Sequence, residues 1–140
     1  MHFHIINGPN LNLVGIRQPE IYGAVSMEEI IGELKLKFSE HSIQYFQSNH
    51  EGALIDKLHE VGFSSDGIVL NAGGYTHTSI ALGDAVKSIS SAVLELHISD
   101  IYKREPYRQV SYIKENSIHQ IIGEGTAGYE KAIQYFLDKN

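Results

Sequence analysis

Cysteine is absent from the sequence, which excludes disulfide bridges and thiolate chemistry and suits a cytosolic protein. A basic stripe is also missing. The 11 Lys and Arg residues are scattered among 17 Asp and Glu for a net charge of −6, which makes nucleic acid a poor partner. Long apolar runs are lacking too. Met1 to Ile6 is apolar but soon meets Asn7-Gly8-Pro9, too early for a signal peptide or a membrane span. No internal repeat, low-complexity tract or linker interrupts the chain. What remains is 140 residues with 42% apolar and 20% charged side chains, enough to build a core and too little charge for a disordered chain. One soluble domain over residues 1–140 is the expectation.

Short apolar runs alternate with helical periodicity. The runs are Phe3 to Ile6, Ile43 to Phe46, Gly67 to Leu70, Ala92 to Ile98 and Ile118 to Ile122. Several are rich in Ile and Val without strict alternation, as strands covered on both faces would be. Between them, Met27, Ile30, Ile31, Leu34 and Phe38 keep helical spacing behind a Ser26/Glu29 capping box. Leu54, Leu58 and Val61 form a second stripe ending at Gly62, and Ala81, Ala85 and Ile89 a third. Tyr129, Ala132, Ile133, Phe136 and Leu137 form the last. Strands alternating with helices predict a parallel sheet covered on both faces. With five strands, the expected architecture is a flavodoxin-like three-layer α/β sandwich of strand order 2-1-3-4-5. Such sheets bind ligands at the carboxyl ends of their strands.

The residues leaving those strands are polar and uncharged for the most part. They are Asn7-Gly8-Pro9-Asn10-Leu11-Asn12, Ser48-Asn49-His50-Glu51-Gly52, Asn71 to Ser79, His97-Ile98-Ser99-Asp100 and Gly123-Glu124-Gly125. Amides, hydroxyls and imidazoles on one rim suit a small polyhydroxylated ligand, although Asn, Gly and Ser also serve simply as turn residues. A helix starting near Thr76 to Ser79 offers free N–H groups to a carboxylate, or ordinary capping by the same hydroxyls.

Residues 13–25 form a long connection carrying Arg17, Pro19, Tyr22 and Gly23, and such loops beside a site are often lids. A phenol with an ordinary pKa of about 10 is a poor base at neutral pH; a guanidinium such as Arg17 beside Tyr22 would make it competent. Spacing alone equally fits a packing aromatic and a solvated arginine. His97, at the end of the fourth strand, is placed to act as a general acid. Glu95, two residues earlier, faces the same side and can orient it; a structural histidine is the alternative. Arg108 lies in an ordinary charged segment. Eight histidines raise the question of metal, with His50, His77 and His97 able to meet at the rim. No His-x-x-x-His or Glu-x-x-His spacing supports a preformed site, so no metal is expected.

Several motifs together resemble the type II 3-dehydroquinate dehydratases. They are Asn7 to Leu13 with Gly15, Arg17 and Tyr22-Gly23; Ser48 to Gly52 with Ile55-Asp56; Asn71 with Gly74 to Ser79; Asp84-Ala85; Glu95 to Ser99; and Arg104-Glu105 with Arg108 and Ser111. The resemblance runs in order through nearly the whole chain. Ala72 and Gly74 stand where the family usually has Pro and Ala, Asp100 where Asn is usual, and Gln109 where His is common.

That resemblance implies a cofactor-free, metal-free lyase of the shikimate pathway of aromatic amino acid biosynthesis. It would convert 3-dehydroquinate to 3-dehydroshikimate by anti elimination through an enolate. Tyr22 would be the base, Arg17 would keep it ionised, Asn10 or its neighbours would hold a water at the enolate, and His97, oriented by Glu95, would be the acid. Asn71, His77, the backbone of Ile98 and Ser99, and Arg108 would bind hydroxyls and carboxylate. Asp84 would reach a neighbouring subunit in a homododecamer of four trimers.

Competing readings make different demands. A receiver domain would want Asp and Lys where Asn71 and Gly123 stand. A flavin or nucleotide carrier would want a phosphate loop where Pro9 and bulky leucines stand. A metal-dependent hydrolase would need the histidines to converge. A diverged, non-catalytic small-ligand-binding flavodoxin-like domain would keep the rim and lose the chemistry, against which Tyr22, Arg17 and His97 are all present.

Overall fold

The apolar runs without alternation become the inner strands. In the computed structural model, which describes residues 1–16, 19–22 and 24–140 (the backbone alone at 21 and 22), five strands form one parallel sheet. They are β1 (His2–Asn7), β2 (Ser42–Gln47), β3 (Gly67–Asn71), β4 (Val93–His97) and β5 (His119–Ile122), ordered 2-1-3-4-5 as expected. Every residue of β3 and β4 is buried, as two covered faces require. The edge strands bury one residue each, Ile43 in β2 and Ile121 in β5.

Helices cover both faces. They are a one-turn α1 (Pro19–Tyr22), then α2 (Met27–Lys37), α3 (Glu51–Val61), α4 (Ile80–Ser88) and α5 (Ala127–Asp138). Strand alternation divides the core in two. Phe3, Ile5, Val69, Leu94 and Leu96 meet α2 and α5 on one side; Ile6, Ile68, Leu70 and Val93 meet α3 and α4 on the other. Ser26 caps α2, its Oγ accepting from Glu29 N at 3.2 Å. No side chain caps α3. Its fully buried Leu54 and Leu58, at about 1.5–3 kcal/mol each, outweigh the roughly 1 kcal/mol a cap supplies.

Two readings of the helices need correction. Gly62 ends α3 at φ −72°, not in the left-handed region; it is there because a Cβ would lie 2.4 Å from Leu58 O and from Ile89 Cγ2. The buried face of α4 is Leu82, Gly83, Ala85 and Val86, with Ala81 exposed. Gly83 sets that phase. A Cβ there would lie 2.4 Å from Tyr112 O, so the segment between β4 and β5 packs directly on the helix backbone. That segment, residues 98–118, is three 3-10 turns pinned by buried Ile101 and Ile113. Among the described residues no helix is long and apolar enough to cross a membrane.

Candidate active site

The carboxyl ends of β1, β3 and β4 meet where the strand order reverses, and backbone contacts hold their loops together. Gly8 N donates to Asn71 O at 2.7 Å. A Cβ on Gly8 would sit 2.4 Å from Ala72 O, so only glycine lets the two loops touch. Asn10 adopts φ 69°, a left-handed conformation that Asn tolerates better than most residues. Its N–H donates to Asn49 Oδ1 at 3.0 Å, and Tyr75 OH donates to Asn49 O at 2.9 Å. Loops from three strands are thereby stitched into one rim.

Beneath the rim runs a buried polar chain. Asn71 Nδ2 donates to Tyr129 OH at 3.1 Å, which donates to Asn7 Oδ1 at 2.9 Å. Asn71 Oδ1 accepts from Gly73 N at 3.2 Å. Burial pushes the Tyr129 phenol far above its ordinary range, so this tyrosine is an anchor and not a base.

Above it lies a recess of about 160 Å³, walled by Asn10, Asn71, His77, His97, Ser99, Arg104 and Arg108, with Pro9, Leu11 and Ile101 as its apolar side. Pockets for drug-sized ligands measure roughly 300–1,000 Å³, so the recess suits a smaller ligand. His97 is 5% and Glu95 1% exposed. His97 Nε2 lies 2.7 Å from Glu95 Oε1, which also accepts from Ser111 Oγ at 2.6 Å; Gln120 Nε2 donates to Glu95 Oε2 at 2.7 Å. Burial, the largest influence, pushes the Glu95 carboxyl up, but the bond and charge of His97 and the bonds from Ser111 and Gln120 outweigh it and hold the carboxyl below its ordinary value. An ionised carboxylate only accepts, so the proton between them belongs to Nε2 and Nδ1 is the ring nitrogen left for a ligand.

His77 stacks on His97 with centroids 6.2 Å apart. Its Nδ1 must donate to Val110 O, 2.7 Å away, because a carbonyl only accepts. Burial, aided by the charges of His97 and Arg108, holds His77 below its ordinary value; in the neutral ring Nε2 is an acceptor for a hydroxyl. Arg108 Nε donates to Glu105 Oε2 at 2.8 Å, and Arg104 Nη1 donates to Ser99 Oγ at 3.3 Å. Both arginines line the recess, with Glu105 2.8 Å from Arg108 and 3.8 Å from Arg104, and amides and imidazoles line it with them, an arrangement that takes an anionic head and several hydroxyls.

The family model described as dehydroquinase class II matches residues 1–137. The chain belongs to this family. It is similar to the 3-dehydroquinate dehydratase of Dinoroseobacter shibae, 46% identical over 95% of this chain and 90% of that protein. It is likewise similar to the catabolic 3-dehydroquinase of Verticillium alfalfae, 41% identical over 94% and 89%. The crystal structure of a type II dehydroquinase from Butyrivibrio crossotus superposes with a TM-score of 0.93 at 42% identity, covering 98% of this chain and 97% of that one.

Of the dehydroquinase motif residues, Asn10, Asn71, His77, His97, Ile98, Ser99 and Arg108 line the recess together, with Glu95 directly behind His97. Asp84 lies on the exposed face of α4 and does not line it. Arg17, Gly23 and the Tyr22 side chain lie outside the described residues. The helix start expected near Thr76 to Ser79 falls at the end of that range: residues 73–77 form a 3-10 turn, and α4 starts at Ile80, capped by Ser79 Oγ on Leu82 N at 2.9 Å. The Leu82 N–H is thus spent on a buried cap, and Ser79 does not line the recess. His50 is the exposed N-cap of α3, and among the described residues no three His, Asp or Glu side chains gather as a metal site.

The departures from the family pattern keep local contacts. Asp100 Oδ1 accepts from Tyr102 N at 3.0 Å, as an Asn would. Gln109 Nε2 donates to Tyr102 O at 3.3 Å. Gly74 has open space where a Cβ would stand. Sequence reasoning assigned no role to Arg104 or Ser111 and did not find Gln120, whose place depends on β5 setting it opposite Glu95.

The shifts of His77 and Glu95 are both downward, which fixes a sign. A lowered folded-state value means stability is present above the ordinary value and lost as pH falls through the folded one. His77, together with His4, which burial also lowers, contributes fully above 6.5 and less on acidification. Glu95 contributes fully above 4.5 and less below it. The thermal midpoint is expected to fall in two stages on acidification, with the lower stage shallower in Glu95→Gln. Identical acid limbs for the two proteins would disprove the Glu95 assignment.

Proposed function

We propose that this chain dehydrates 3-dehydroquinate to 3-dehydroshikimate by anti elimination through an enolate. The observation that carries the reading is the buried His97–Glu95 pair at a small recess at the strand-order switch point, which Arg104 and Arg108 also line. Membership of the dehydroquinase family and relatives named 3-dehydroquinate dehydratase support it.

In the proposed step Tyr22, as phenolate, takes a proton from the carbon beside the ketone, and Arg17 stabilises that phenolate. Electrons from the C–H bond form an enolate, held by a water at Asn10. The enolate collapses to a carbon–carbon double bond as the β-hydroxyl leaves, taking a proton from His97 Nδ1 as water. Glu95 balances the positive ring before that transfer. Asn71, His77 Nε2, the backbone of Ile98 and Ser99, and Arg108 hold the hydroxyls and carboxylate. No cofactor or metal takes part in this scheme.

Residues 1–140 act in this reading as a single catalytic domain with residues 13–25 as its lid, in the cytoplasm and in the shikimate pathway. Asp84, exposed on its own subunit, reaches a neighbouring site in a homododecamer of four trimers. The test is ultraviolet absorbance of the purified chain, pretreated with a chelator, on mixing with 3-dehydroquinate, since elimination creates an enone conjugated with a carboxylate. A rise is expected. No rise from the folded, assembled chain would sink the reading in favour of a non-catalytic binding protein on this fold.

A further inference from the structure

We infer that Ser111 is a positioning residue for the elimination: by donating to the same Glu95 oxygen that faces His97, it keeps the proton between the two side chains on the imidazole. The inference rests on the proposed role of His97 as the acid.

Geometry fixes the direction of the Ser111 bond. Ser111 Oγ accepts from Ile113 N and from Lys114 N, both at 3.1 Å. With those two acceptor positions filled, its one proton is left for Glu95 Oε1, 2.6 Å away. That oxygen therefore receives two donors, Ser111 O–H and His97 N–H, while Oε2 receives Gln120. Ser111 cannot reverse its role and accept from a protonated Glu95.

The consequence concerns acid strength. When His97 carries its second proton at Nδ1, the proton shared with Glu95 has two homes. On the ring, it makes His97 an imidazolium, whose Nδ1–H is a competent acid. On Glu95, it leaves a neutral imidazole, whose Nδ1–H is far too weak to protonate a leaving hydroxyl. A carboxylate 1% exposed is pressed by burial towards the second state. A hydrogen bond to Oε1 lowers the basicity of the oxygen that competes for this proton. Gln120 acts on the other oxygen, and its amide can turn to present either a donor or an acceptor, so it holds the carboxylate without enforcing its charge.

The experiment follows the ring nitrogens of His97 by 15N NMR, at a pH where the ring has taken its second proton, in native chain, Ser111→Ala, Ser111→Thr and Gln120→Leu. Thermal unfolding checks that each variant is folded. Native chain and Ser111→Thr are expected to show both nitrogens protonated. Ser111→Ala is expected to move Nε2 towards the unprotonated position and to lower kcat on the order of tenfold to a hundredfold with KM changed less than about twofold. Gln120→Leu is expected to leave the ring pattern as in the native chain. A folded Ser111→Ala with native nitrogen shifts, or a Gln120→Leu shift equal to that of Ser111→Ala, would overturn the assignment. The nitrogen readout needs no turnover, so a native chain without dehydratase activity overturns the reaction while leaving this test intact.

Discussion

Tyr22→Phe and His97→Ala are each expected to lower kcat for dehydration by roughly 100- to 10,000-fold, the range that one well-placed acid or base supplies. The two losses should differ in kind. In the proposed scheme no other group removes the proton beside the ketone, so without the Tyr22 phenol no enolate should form. In the same scheme the loss of His97 blocks only departure of the hydroxyl, so the enolate should still form and return. In deuterated water, His97→Ala should therefore exchange the substrate's acidic hydrogen without releasing product, whereas Tyr22→Phe should do neither. The double variant should lose little more than the worse single one, since both groups serve one sequence of steps. If neither single variant exchanges, proton removal and hydroxide loss are not separable and the enolate route fails. If Tyr22→Phe turns over at the native rate, the base lies elsewhere. Tyr129 is an unsuitable replacement, since burial raises its phenol and its hydroxyl is bonded to Asn7 and Asn71.

What the sequence showed and what it hid follow from the range of the interactions. Strand order and layers were legible because burial on two faces leaves uninterrupted apolar runs such as Ile68-Val69-Leu70, and these survive without knowledge of any partner. The same holds for the Glu95–His97 pair: two residues apart in a strand, they share a face whatever the rest of the fold does. Of the α4 stripe, Ala85 and Ile89 do pack on the core and only Ala81 was misassigned, because the buried face extends to Gly83 lying against Tyr112, a contact 29 residues away that no local period encodes. The α4 N-terminus was legible only as the range from Thr76 to Ser79 for a related reason. Thr76 and Ser79 both look like caps, and only the 3-10 turn at Gly73–His77 decides between them. Gln120 and Ser111 reach Glu95 from beyond the strand that carries it, one across the β4–β5 pairing and one from the irregular segment. Motif spacing marks that a residue belongs to the pattern; it does not say which oxygen the residue touches.

Tyr129→Phe should be the most destabilising single-atom change near the site. The side chain is fully buried, and its hydroxyl joins the ends of β1 and β3, donating to Asn7 Oδ1 at 2.9 Å and accepting from Asn71 Nδ2 at 3.1 Å. Removing the oxygen leaves the ring packing intact, so the cost is not a cavity of hydrocarbon size. It comes from an acceptor on Asn7 and a donor on Asn71 left unpaired where exposure is 0% and 3%. Each orphaned group costs about 1–3 kcal/mol, which sets the expected loss at roughly 2–6 kcal/mol for the pair. Against a total stability of about 5–15 kcal/mol, that is a large fraction. In a domain of this size it corresponds to a fall in thermal midpoint on the order of 10 °C. Urea unfolding should show a lower midpoint with an unchanged slope, since the surface exposed on unfolding is the same. Asn71 also lines the recess, and Tyr129 holds its amide against rotation, so KM should rise in the same variant. A thermal midpoint within a degree or two of the native protein would mean that the chain from Asn7 to Asn71 is not held by this hydroxyl, and would remove Tyr129 from the architecture of the site.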